Sequence, residues 1–236
     1  MAMQPASTGR PRPQGLHVVW DWNGTLLDDA AAVIQATSAA FAAAGLAVEV
    51  TEASYRHHFT RPIPLFYERL LGRPVGPDEW IRLDRAFHDE YARVDARCSL
   101  REGAAAALEE VRRRGWTQSV CSMLPHTHLL PAVERQGIAS YFVRIDGLRG
   151  GERGGAKLAH LVAHLESLET PASRAVLVGD TVDDALAARG AGIGCILLGS
   201  GIGLHEPAAL AASGAPLATS LRQAVLMAAG AALGTG

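Results

Sequence analysis

The stretch VVWDWNGTLLDD, residues 18–29, runs from an apolar segment directly into an acid, an amide and a glycine. Its first residues, together with Leu16 and His17 before them, form a short apolar run that ends at Asp21. Such a run is typical of a β-strand. The stretch therefore predicts a strand with Asp21 and Asn23 at its carboxyl end.

Four similar runs follow later in the chain, each ending in Asp, Ser or Gly: TQSVCS (117–122), YFVRID (141–146), RAVLVGD (174–180) and GCILLG (194–199). Most of them lack alternation between apolar and polar residues, as strands covered on both faces do. Segments with the apolar spacing of helices lie between them. The strand and helix alternation from residue 100 to residue 236 predicts an α/β fold, a doubly wound parallel sheet with helices on both faces.

Residues 29–98 have a different pattern. Helix-compatible runs such as PDEWIRLDRAFHDEYARV are broken by TRPIP and GRPVGP, and no convincing strand lies between them. We therefore expect an all-helical domain over residues 29–98, inserted into a core of residues 16–28 and 99–236. Residues 1–15 are polar and proline-rich, resemble neither a signal peptide nor a membrane anchor, and are expected to form a flexible tail.

The composition narrows the class of partner. A net charge of −2 gives no broad basic field for nucleic acid or an anionic membrane, and no apolar run reaches the roughly 18–20 residues of a membrane span. The three cysteines lie far apart without a CxxC pair, which favours a reducing cytoplasm over a disulfide framework. We expect a small soluble substrate, and the sequence does not predict an oligomeric state.

Polar residues cluster at the predicted strand ends, where ligands bind in doubly wound sheets. They are Asp21, Asn23, Ser122, Asp146, Asp180, Asp183 and Asp184. A lone acid such as Asp146 is readily explained as a turn cap. Carboxylates that converge from neighbouring strands would repel each other without a cation, and oxygen ligands without His or Cys favour Mg²⁺. A phosphate could then be neutralised by the metal, by the Ser122 hydroxyl and by Lys157, the only lysine of the chain.

Four motifs in this order resemble those of the haloacid dehalogenase-like hydrolases, in particular the phosphoglycolate phosphatase-like members. They are DWNGTLLD at Asp21, VCS at Ser122, AKLAHL at Lys157 and VLVGDTVDDALAARGAG around Asp180. The resemblance covers nearly everything after residue 16. It implies a Rossmann-like core with a helical cap inserted after the first motif, in agreement with the insertion inferred above.

The resemblance also implies roles for individual residues. Asp21 would be the nucleophile that forms an aspartyl-phosphate. Mg²⁺ would be held by Asp21, Asp180 and the main-chain carbonyl of Asn23, and Asp184 and Asp183 would orient its water ligands. The phosphoryl group would be bound by Ser122, Lys157, Gly24 and Thr25.

Asn23 departs from the family pattern, because phosphatases of this family usually have a second aspartate two residues after the nucleophile. An amide donates hydrogen bonds but does not exchange a proton near neutral pH, and general acid–base assistance is typically worth about 10²–10⁴-fold in rate. A phosphatase with this amide would need a good leaving group or another acid from the cap. His57, His58 and His126 are candidates for that acid, and Arg61 is a candidate for binding the substrate.

Three other functions compete with a phosphatase. Carbon–phosphorus hydrolysis by relatives that lack the second aspartate uses a cap lysine, which this cap does not contain. Carbon–halogen hydrolysis does not need the acids at Asp180 and Asp184. A catalytically impaired phosphate-binding or regulatory module would also explain Asn23.

Overall fold

The core of the protein is a six-stranded, wholly parallel sheet. We describe it from a computed structural model, which covers residues 15–149, 156–199 and 204–233. The strands in chain order are β1 (His17–Trp20), β2 (Leu27–Asp28), β3 (Ser99–Leu100), β4 (Thr117–Pro125), β5 (Arg144–Leu148), β6 (Ala175–Gly179), β7 (Gly194–Leu198) and β8 (Leu217–Ala218). The order in the sheet is β5-β4-β1-β6-β7-β8, while β2 and β3 form a separate antiparallel pair. The predicted doubly wound parallel sheet is confirmed.

Ten α-helices accompany these strands in the described residues. They are α1 (Ala30–Ala43), α2 (Glu52–His58), α3 (Ile63–Leu71), α4 (Pro77–Val94), α5 (Ala104–Arg113), α6 (His126–Arg135), α7 (Leu158–Ser167), α8 (Val182–Gly190), α9 (Pro207–Ala212) and α10 (Leu221–Leu233). Within the part of the chain that the structure covers, no helix combines the length and the apolarity that a membrane span requires.

Helices cover the sheet on both faces, which explains why its strands lack alternation. Val18 and Trp20 of β1 pack in one cluster with α5, α6 and α10, whereas Val19 packs in another with α7 and α8. Successive side chains of a strand point to opposite faces, so both faces of β1 must be apolar. The central strand is therefore wholly buried, and it places Asp21 at a fixed point on the edge of the sheet.

The helices α1–α4 lie between β2 and β3, and no strand interrupts residues 30–98. They have their own apolar cluster, which includes Phe41, Phe66, Tyr67 and Leu83. The pair β2–β3 joins Leu27 to Leu100, so the chain leaves the core and returns to it at neighbouring points. The boundaries of the expected cap remain predictions, and the expected tail lies outside the described residues except for Gly15.

Several elements differ from the sequence predictions. β5 begins at Arg144, because residues 139–141 form a 3₁₀ turn, so Asp146 lies within the strand and not at its end. Asp146 does not cap a turn either, because its carboxylate pairs with Arg144 and accepts from His164. The structure also contains α2, α6, α10 and β8, which we did not predict. α2 begins at a capping box of Thr51 and Ser54, a signal that the sequence does contain.

A chain of polar side chains crosses the apolar core beside β1. His17 Nδ1 lies 2.7 Å from Thr117 Oγ1 and His17 Nε2 lies 2.8 Å from Ser119 Oγ. Ser119 Oγ in turn lies 2.7 Å from His164 Nε2, and His164 Nδ1 lies 2.8 Å from Asp146 Oδ2. Since the carboxylate can only accept, every hydrogen bond of the chain is satisfied with protons pointing toward Asp146 and both imidazoles neutral. Burial, with a smaller contribution from His164, lowers the pKa of His17 to about 4.

We expect this chain to make the fold sensitive to acid. Lowering the pH from about 7.5 to about 5 should reduce the free energy of unfolding by about 2 kcal/mol through His17 alone. The imidazole takes up a proton in the unfolded chain, where its pKa is about 6.5, before it does so in the folded protein. The contribution of His17 to the free energy of unfolding is therefore fully present above the pKa of about 6.5 in the unfolded chain, and it is lost as the pH falls toward 4.

Urea unfolding at the two pH values measures this effect. In His17→Gln the same drop in pH should cost about 2 kcal/mol less than in the wild type. The control is His57→Gln, because His57 is exposed, and its pH dependence should match that of the wild type. An unaltered pH dependence in His17→Gln would contradict the assignment.

Candidate active site

A cavity of about 190 Å³ lies between the carboxyl ends of the parallel strands and the helices α1–α4. Loops after β1 and β6, with Ser122 of β4, form its floor. The predicted site residues that line it are Asp21, Asn23, Gly24, Arg61, Ser122, Lys157, Asp180, Asp183 and Asp184. The structure thus brings most of the predicted residues together at the edge of the sheet where doubly wound folds bind ligands.

Three buried carboxylates and one amine form the floor of the cavity. Asp21 follows β1, Asp180 follows β6 and Asp184 lies in the first turn of α8, with one carboxylate oxygen of each within 4.8 Å of the others. The Lys157 side chain is 2% exposed, and its Nζ donates to Asp21 Oδ1 (2.5 Å) and to Asp184 Oδ1 (2.6 Å). One ammonium group therefore faces three carboxyl groups in a space that water barely reaches.

Burial and mutual repulsion shift the ionisation of this cluster. Burial raises the pKa of Asp21 even with the Lys157 amine beside it, and the carboxylates of Asp184 and Asp180 add to the rise. Burial also acts on Asp184, but Lys157 and the donors of Thr181 hold the pKa of this acid below its ordinary value. The pKa of Lys157 is raised, against the effect of burial, by Asp184 and Asp21, so the amine stays charged.

Gly24 lets the first loop pass directly against Asp180. Its φ is +72°, and a Cβ at this position would lie 2.1 Å from Asp180 Oδ2, so a larger residue is excluded by conformation and by space. The Thr25 hydroxyl donates to Asp180 Oδ1 (3.1 Å), and Thr25 itself does not line the cavity. Thr25 therefore acts on the position of Asp180.

Asn23 is held by two residues that the sequence analysis did not identify, Asp29 and Tyr91. Its Nδ2 donates to Asp29 Oδ2 (2.7 Å) and to Tyr91 Oη (2.6 Å), and the Tyr91 hydroxyl donates to the same carboxylate oxygen (2.8 Å). The other oxygen, Asp29 Oδ1, accepts from the Gly24 N–H (2.8 Å). Burial raises the pKa of Asp29, while these donors oppose the rise. The amide of Asn23, which stands where phosphatases of the resembled family usually have an aspartate, is thus hydrogen-bonded to the buried carboxyl group of Asp29.

Ser122 is fully buried on β4 at an irregularity in the sheet. The regular pairing of β4 with β5 is interrupted after Cys121, although β4 continues to Pro125. The Ser122 hydroxyl accepts from the Leu124 N–H (3.2 Å) and lines the cavity. Ser122 thus reaches the cavity from within a strand, at this irregularity, and not from a strand end as we had expected.

Asp183 connects the core to the helical insertion. Its Oδ2 lies 3.3 Å from Arg61 Nε and accepts from the Lys157 N–H (3.1 Å). Arg61 therefore reaches the floor of the cavity near the carboxylate cluster. This contact places the guanidinium of Arg61, which belongs to the insertion, beside the carboxylate cluster. It also gives the Asp183 carboxylate a partner.

The three histidine candidates lie away from the cavity. The rings of His57 and His58 on α2 meet edge to face with centroids 4.7 Å apart, whereas Tyr55 and Phe59 of the same segment line the cavity. Residues four apart share a helix face, and His57 lies on the opposite face. His126 instead contacts Gly147 and Arg149. The geometry gives none of the three a role as the missing acid.

His205 is a further residue that the sequence analysis missed. It lines the cavity, its Nε2 lies 3.4 Å from Asp180 Oδ2, and its ring contacts Phe59 with centroids 4.5 Å apart. Its only sequence signal is a polar residue between the glycine-rich GSGIG segment and α9. Asp29 had a clearer signal, because it is the second acid of a pair that directly follows the first motif.

The donor set of the floor fits a hard divalent cation. Three acidic side chains with closely spaced oxygens have one ammonium group among them, and no His or Cys belongs to the cluster of described residues. Oxygen ligands of this kind suit Mg²⁺ or Ca²⁺. A divalent cation would supply the positive charge that Lys157 alone does not provide.

Comparison with known proteins agrees with this geometry. The sequence profile of the haloacid dehalogenase-like hydrolases matches residues 16–192. A phosphoglycolate phosphatase from Vibrio parahaemolyticus is 28% identical over 200 residues, which are 80% of this chain and 86% of that protein. A haloacid dehalogenase-like family hydrolase from Streptococcus pneumoniae has a TM-score of 0.76 at 19% identity, over 90% of this chain and 98% of that one.

A second solved structure has the same fold. CbbY from Rhodobacter sphaeroides in complex with phosphate has a TM-score of 0.70 at 24% identity, over 89% of this chain and 96% of that one. At these identities the two structures show the fold, and the profile, which covers most of the chain, shows the family. The chain belongs to the haloacid dehalogenase-like hydrolase family, and the predicted enzyme class, a hydrolase of the phosphatase type, is confirmed.

Proposed function

We propose that this chain is a magnesium-dependent phosphoric monoester hydrolase that acts on a small phosphorylated compound through an aspartyl-phosphate on Asp21. The observation that carries the proposal is the floor of the cavity. Three buried carboxylates lie close together there, and two of them, Asp21 and Asp184, bond to the only lysine of the chain. Asp21 and Asp180 follow two neighbouring parallel strands. Phosphoryl transfer consists largely of positioning and charge stabilisation, and this arrangement supplies both.

In the proposed mechanism the Asp21 carboxylate attacks phosphorus. A bond forms from its oxygen to phosphorus, the bond from phosphorus to the leaving oxygen breaks, and the leaving oxygen departs as an anion that takes up a proton from solvent. Water then attacks the phosphorus of the aspartyl-phosphate, which releases inorganic phosphate and restores the carboxylate. Lys157 and Ser122 bind the phosphoryl oxygens, and the helical insertion, residues 29–98, acts as a cap that encloses the leaving group.

The metal would be held by Asp21, Asp180 and the main-chain carbonyl of Asn23, with Asp184 and Asp183 binding its water ligands. When bound, Mg²⁺ neutralises charge on the phosphoryl group. The three cysteines are free thiols, which is in keeping with a reducing cytoplasm as the location.

Asn23 sets the expected substrate range. Its side chain cannot give a proton to the leaving oxygen, so we expect esters of acidic alcohols, such as phenols, to be hydrolysed faster than alkyl esters. Phosphoglycolate, named in the relative from Vibrio parahaemolyticus, is an alkyl ester and belongs in the test panel. Catalysis of alkyl esters would need a carboxyl group restored near the leaving oxygen.

An exchange of Asn23 and Asp29 tests this explanation. Asn23→Asp alone would place two carboxyl groups where an amide and an acid now lie 2.7 Å apart, so they would share a proton. The double variant Asn23→Asp with Asp29→Asn keeps one acid and one amide in the pair. We expect it to raise kcat on alkyl phosphates by about 10²–10⁴-fold over the wild type, and Asp29→Asn alone to produce no gain.

The assay follows phosphate release from phenyl phosphate, phosphoglycolate and other alkyl esters, with Mg²⁺ or with EDTA. The proposal predicts turnover of phenyl phosphate by the wild type that EDTA abolishes. If the wild type and the exchanged variant hydrolysed no ester but bound phosphorylated ligands tightly, the chain would be a phosphate-binding module instead. An unaltered rate on alkyl esters in the exchanged variant would refute the explanation for Asn23.

A further inference from the structure

The buried guanidinium of Arg101 contacts the loop that follows β1, and neither the sequence analysis nor the proposed function gives this residue a role. Its Nη2 donates to the Gly24 carbonyl (2.6 Å), and its Nε donates to the Thr25 carbonyl (3.1 Å). Arg101 is 8% exposed and lines the cavity. One charged side chain therefore holds two successive peptide units of the loop that carries Asp21.

The main chain of Arg101 is itself fixed. It directly follows β3, the strand through which the chain returns from the helical insertion, and β3 pairs with β2 through Leu100 and Leu27. The Arg101 N–H donates to the Leu26 carbonyl (2.8 Å), and the Arg101 carbonyl accepts from the Ala104 N–H (3.0 Å). The guanidinium therefore extends from an anchored point at the junction between the insertion and the core.

Gly24 is the residue of the loop that most needs such support. Its φ of +72° is a left-handed value that glycine adopts without steric cost, and glycine has the most conformational freedom to lose on folding. Its N–H donates to Asp29 Oδ1 (2.8 Å), and its carbonyl accepts from Arg101. Asp29 directly follows β2, and Arg101 directly follows β3. The two junctions of the insertion thus hold Gly24 from both sides.

Fixing Gly24 also fixes two groups of the metal site. A peptide unit is planar and trans, so the Asn23 carbonyl points away from the Gly24 N–H and is oriented together with it. This carbonyl is the main-chain group that we proposed as a metal ligand. Gly24 also packs against Asp180, where a Cβ would lie 2.1 Å from Oδ2, and Thr25 donates to Asp180 Oδ1 (3.1 Å). A small displacement of the loop would therefore disturb both the carbonyl and the carboxylate.

We propose that Arg101 is a positioning residue for phosphoryl transfer, an inference that rests on the proposed function. It holds the loop after Asp21 in the conformation that presents the Asn23 carbonyl and the Asp180 carboxylate to the metal, and it acts through the main chain of the loop without touching the substrate. Arginine suits this role because its donors form a rigid planar fork that can bind two carbonyls at once, whereas a lysine ammonium is a point charge on a flexible stem.

Steady-state kinetics on phenyl phosphate tests this role. Arg101→Met keeps an extended side chain but removes every donor. We expect kcat to fall by about 10–100-fold, as is typical when a group that orients metal ligands is lost. KM should stay within about threefold, because Ser122 and Lys157 still bind the phosphoryl group. Arg97→Met, the same substitution at an exposed residue just before β3, is the control and should change neither constant.

Two further measurements do not depend on turnover. Isothermal titration with Mg²⁺ alone should give a dissociation constant for Arg101→Met about tenfold or more above that of the wild type. Hydrogen exchange, followed by mass spectrometry of the peptide that covers residues 22–27, should be faster in Arg101→Met, because the loop opens more often without its anchor. Arg97→Met should match the wild type in both measurements.

Chemical rescue distinguishes the missing donors from a general loss of structure. In Arg101→Ala, millimolar guanidinium chloride can fill the space of the lost group, at concentrations far below the molar range that unfolds proteins. It should recover part of the about 10–100-fold loss in kcat, whereas sodium chloride at the same concentration should recover none. If Arg101→Met does not fold, Arg101→Lys keeps the charge with one donor group, and its kcat should lie between those of Arg101→Ala and the wild type.

The opposite results would overturn the proposal. If kcat, Mg²⁺ affinity and loop exchange are unaltered in Arg101→Met, Arg101 does not position the loop. A raised KM at unaltered kcat would mean that the guanidinium binds the substrate directly. A loss of kcat that guanidinium does not restore, with unaltered loop exchange, would also refute positioning. If the wild type neither hydrolyses phenyl phosphate nor binds Mg²⁺, the proposed function fails and the catalytic consequence of Arg101 fails with it, whereas hydrogen exchange alone decides whether Arg101 holds the loop.

Discussion

Asp21→Asn is expected to lower kcat on every phosphate ester by a factor on the order of 10⁴–10⁶, the range seen when a nucleophile is removed from a hydrolase. The Asp21 carboxylate lies at the end of the central strand, and β1 is held between β4 and β6. An amide at this position keeps the shape of the side chain but cannot form the aspartyl-phosphate. Phosphate release under single-turnover and steady-state conditions measures the loss.

The matched control is Asp28→Asn, a few residues further along the chain. Asp28 is exposed on β2, so its substitution removes a charge without touching the cavity and should leave kcat within about twofold of the wild type, as surface substitutions usually have small effects. If kcat of Asp21→Asn were less than tenfold lower than that of the wild type, another group would have to attack phosphorus. Trapping a phosphorylated protein with acid, and finding the label on Asp21, would identify the intermediate directly.

Lys157→Met is expected to affect both stability and turnover. The amine is bonded to Asp21 and Asp184 in a buried site, and removing one partner of such a group typically costs about 3–5 kcal/mol. Turnover should fall by about 10²–10³-fold, as when a preorganised donor to the developing charge is lost. Urea unfolding and steady-state kinetics measure the two effects.

Magnesium distinguishes charge neutralisation from packing in this variant. If Lys157 stabilises the fold by neutralising the carboxylates, added Mg²⁺ should raise the free energy of unfolding of Lys157→Met more than that of the wild type. Arg85→Met removes a cation from an exposed site on α4 and should change neither stability nor its dependence on magnesium. Equal magnesium effects in Lys157→Met and the wild type would show that the amine acts mainly through packing.

The fold could be predicted because its decisive signals are local. The five apolar runs that end in Asp, Ser or Gly correspond to five of the six strands in the parallel sheet, and the insertion was recognisable from its helix-compatible runs. β8 was not predicted because it contains only Leu217 and Ala218, too few residues to form a pattern. β5 was placed too early because Tyr141 belongs to a 3₁₀ turn, and Phe142 lies between that turn and the strand.

The floor of the cavity could also be predicted, because the carboxyl ends of neighbouring parallel strands must meet at one edge of the sheet. The upper part could not. The contacts of Tyr91 with Asn23 and of His205 with Asp180 join residues far apart in the chain, and they depend on how α4 and the segment before α9 pack against the core. No spacing rule in the sequence encodes such packing.

The choice of His57 and His58 as candidate acids shows the same difficulty. Their chemistry suited the role, but the face of α2 that meets the cavity is decided by its apolar residues. Tyr55 is buried, so the helix turns Tyr55 and Phe59 inward and leaves His57 exposed. Residue type alone therefore suggested His57 and His58, whereas the periodicity of the helix places neighbouring aromatic side chains at the cavity.

The single lysine gives this protein an unusual chemical simplicity. Amine-selective acylating reagents find one side-chain target, and in the folded state it is enclosed beneath the helical insertion with its lone pair protonated. Acylation of that amine can proceed only when the enclosure opens and the proton is lost. The rate of labelling at this side chain, followed by mass spectrometry of the peptide that contains residue 157, therefore reports how often the chamber opens, with no fluorophore or engineered residue required.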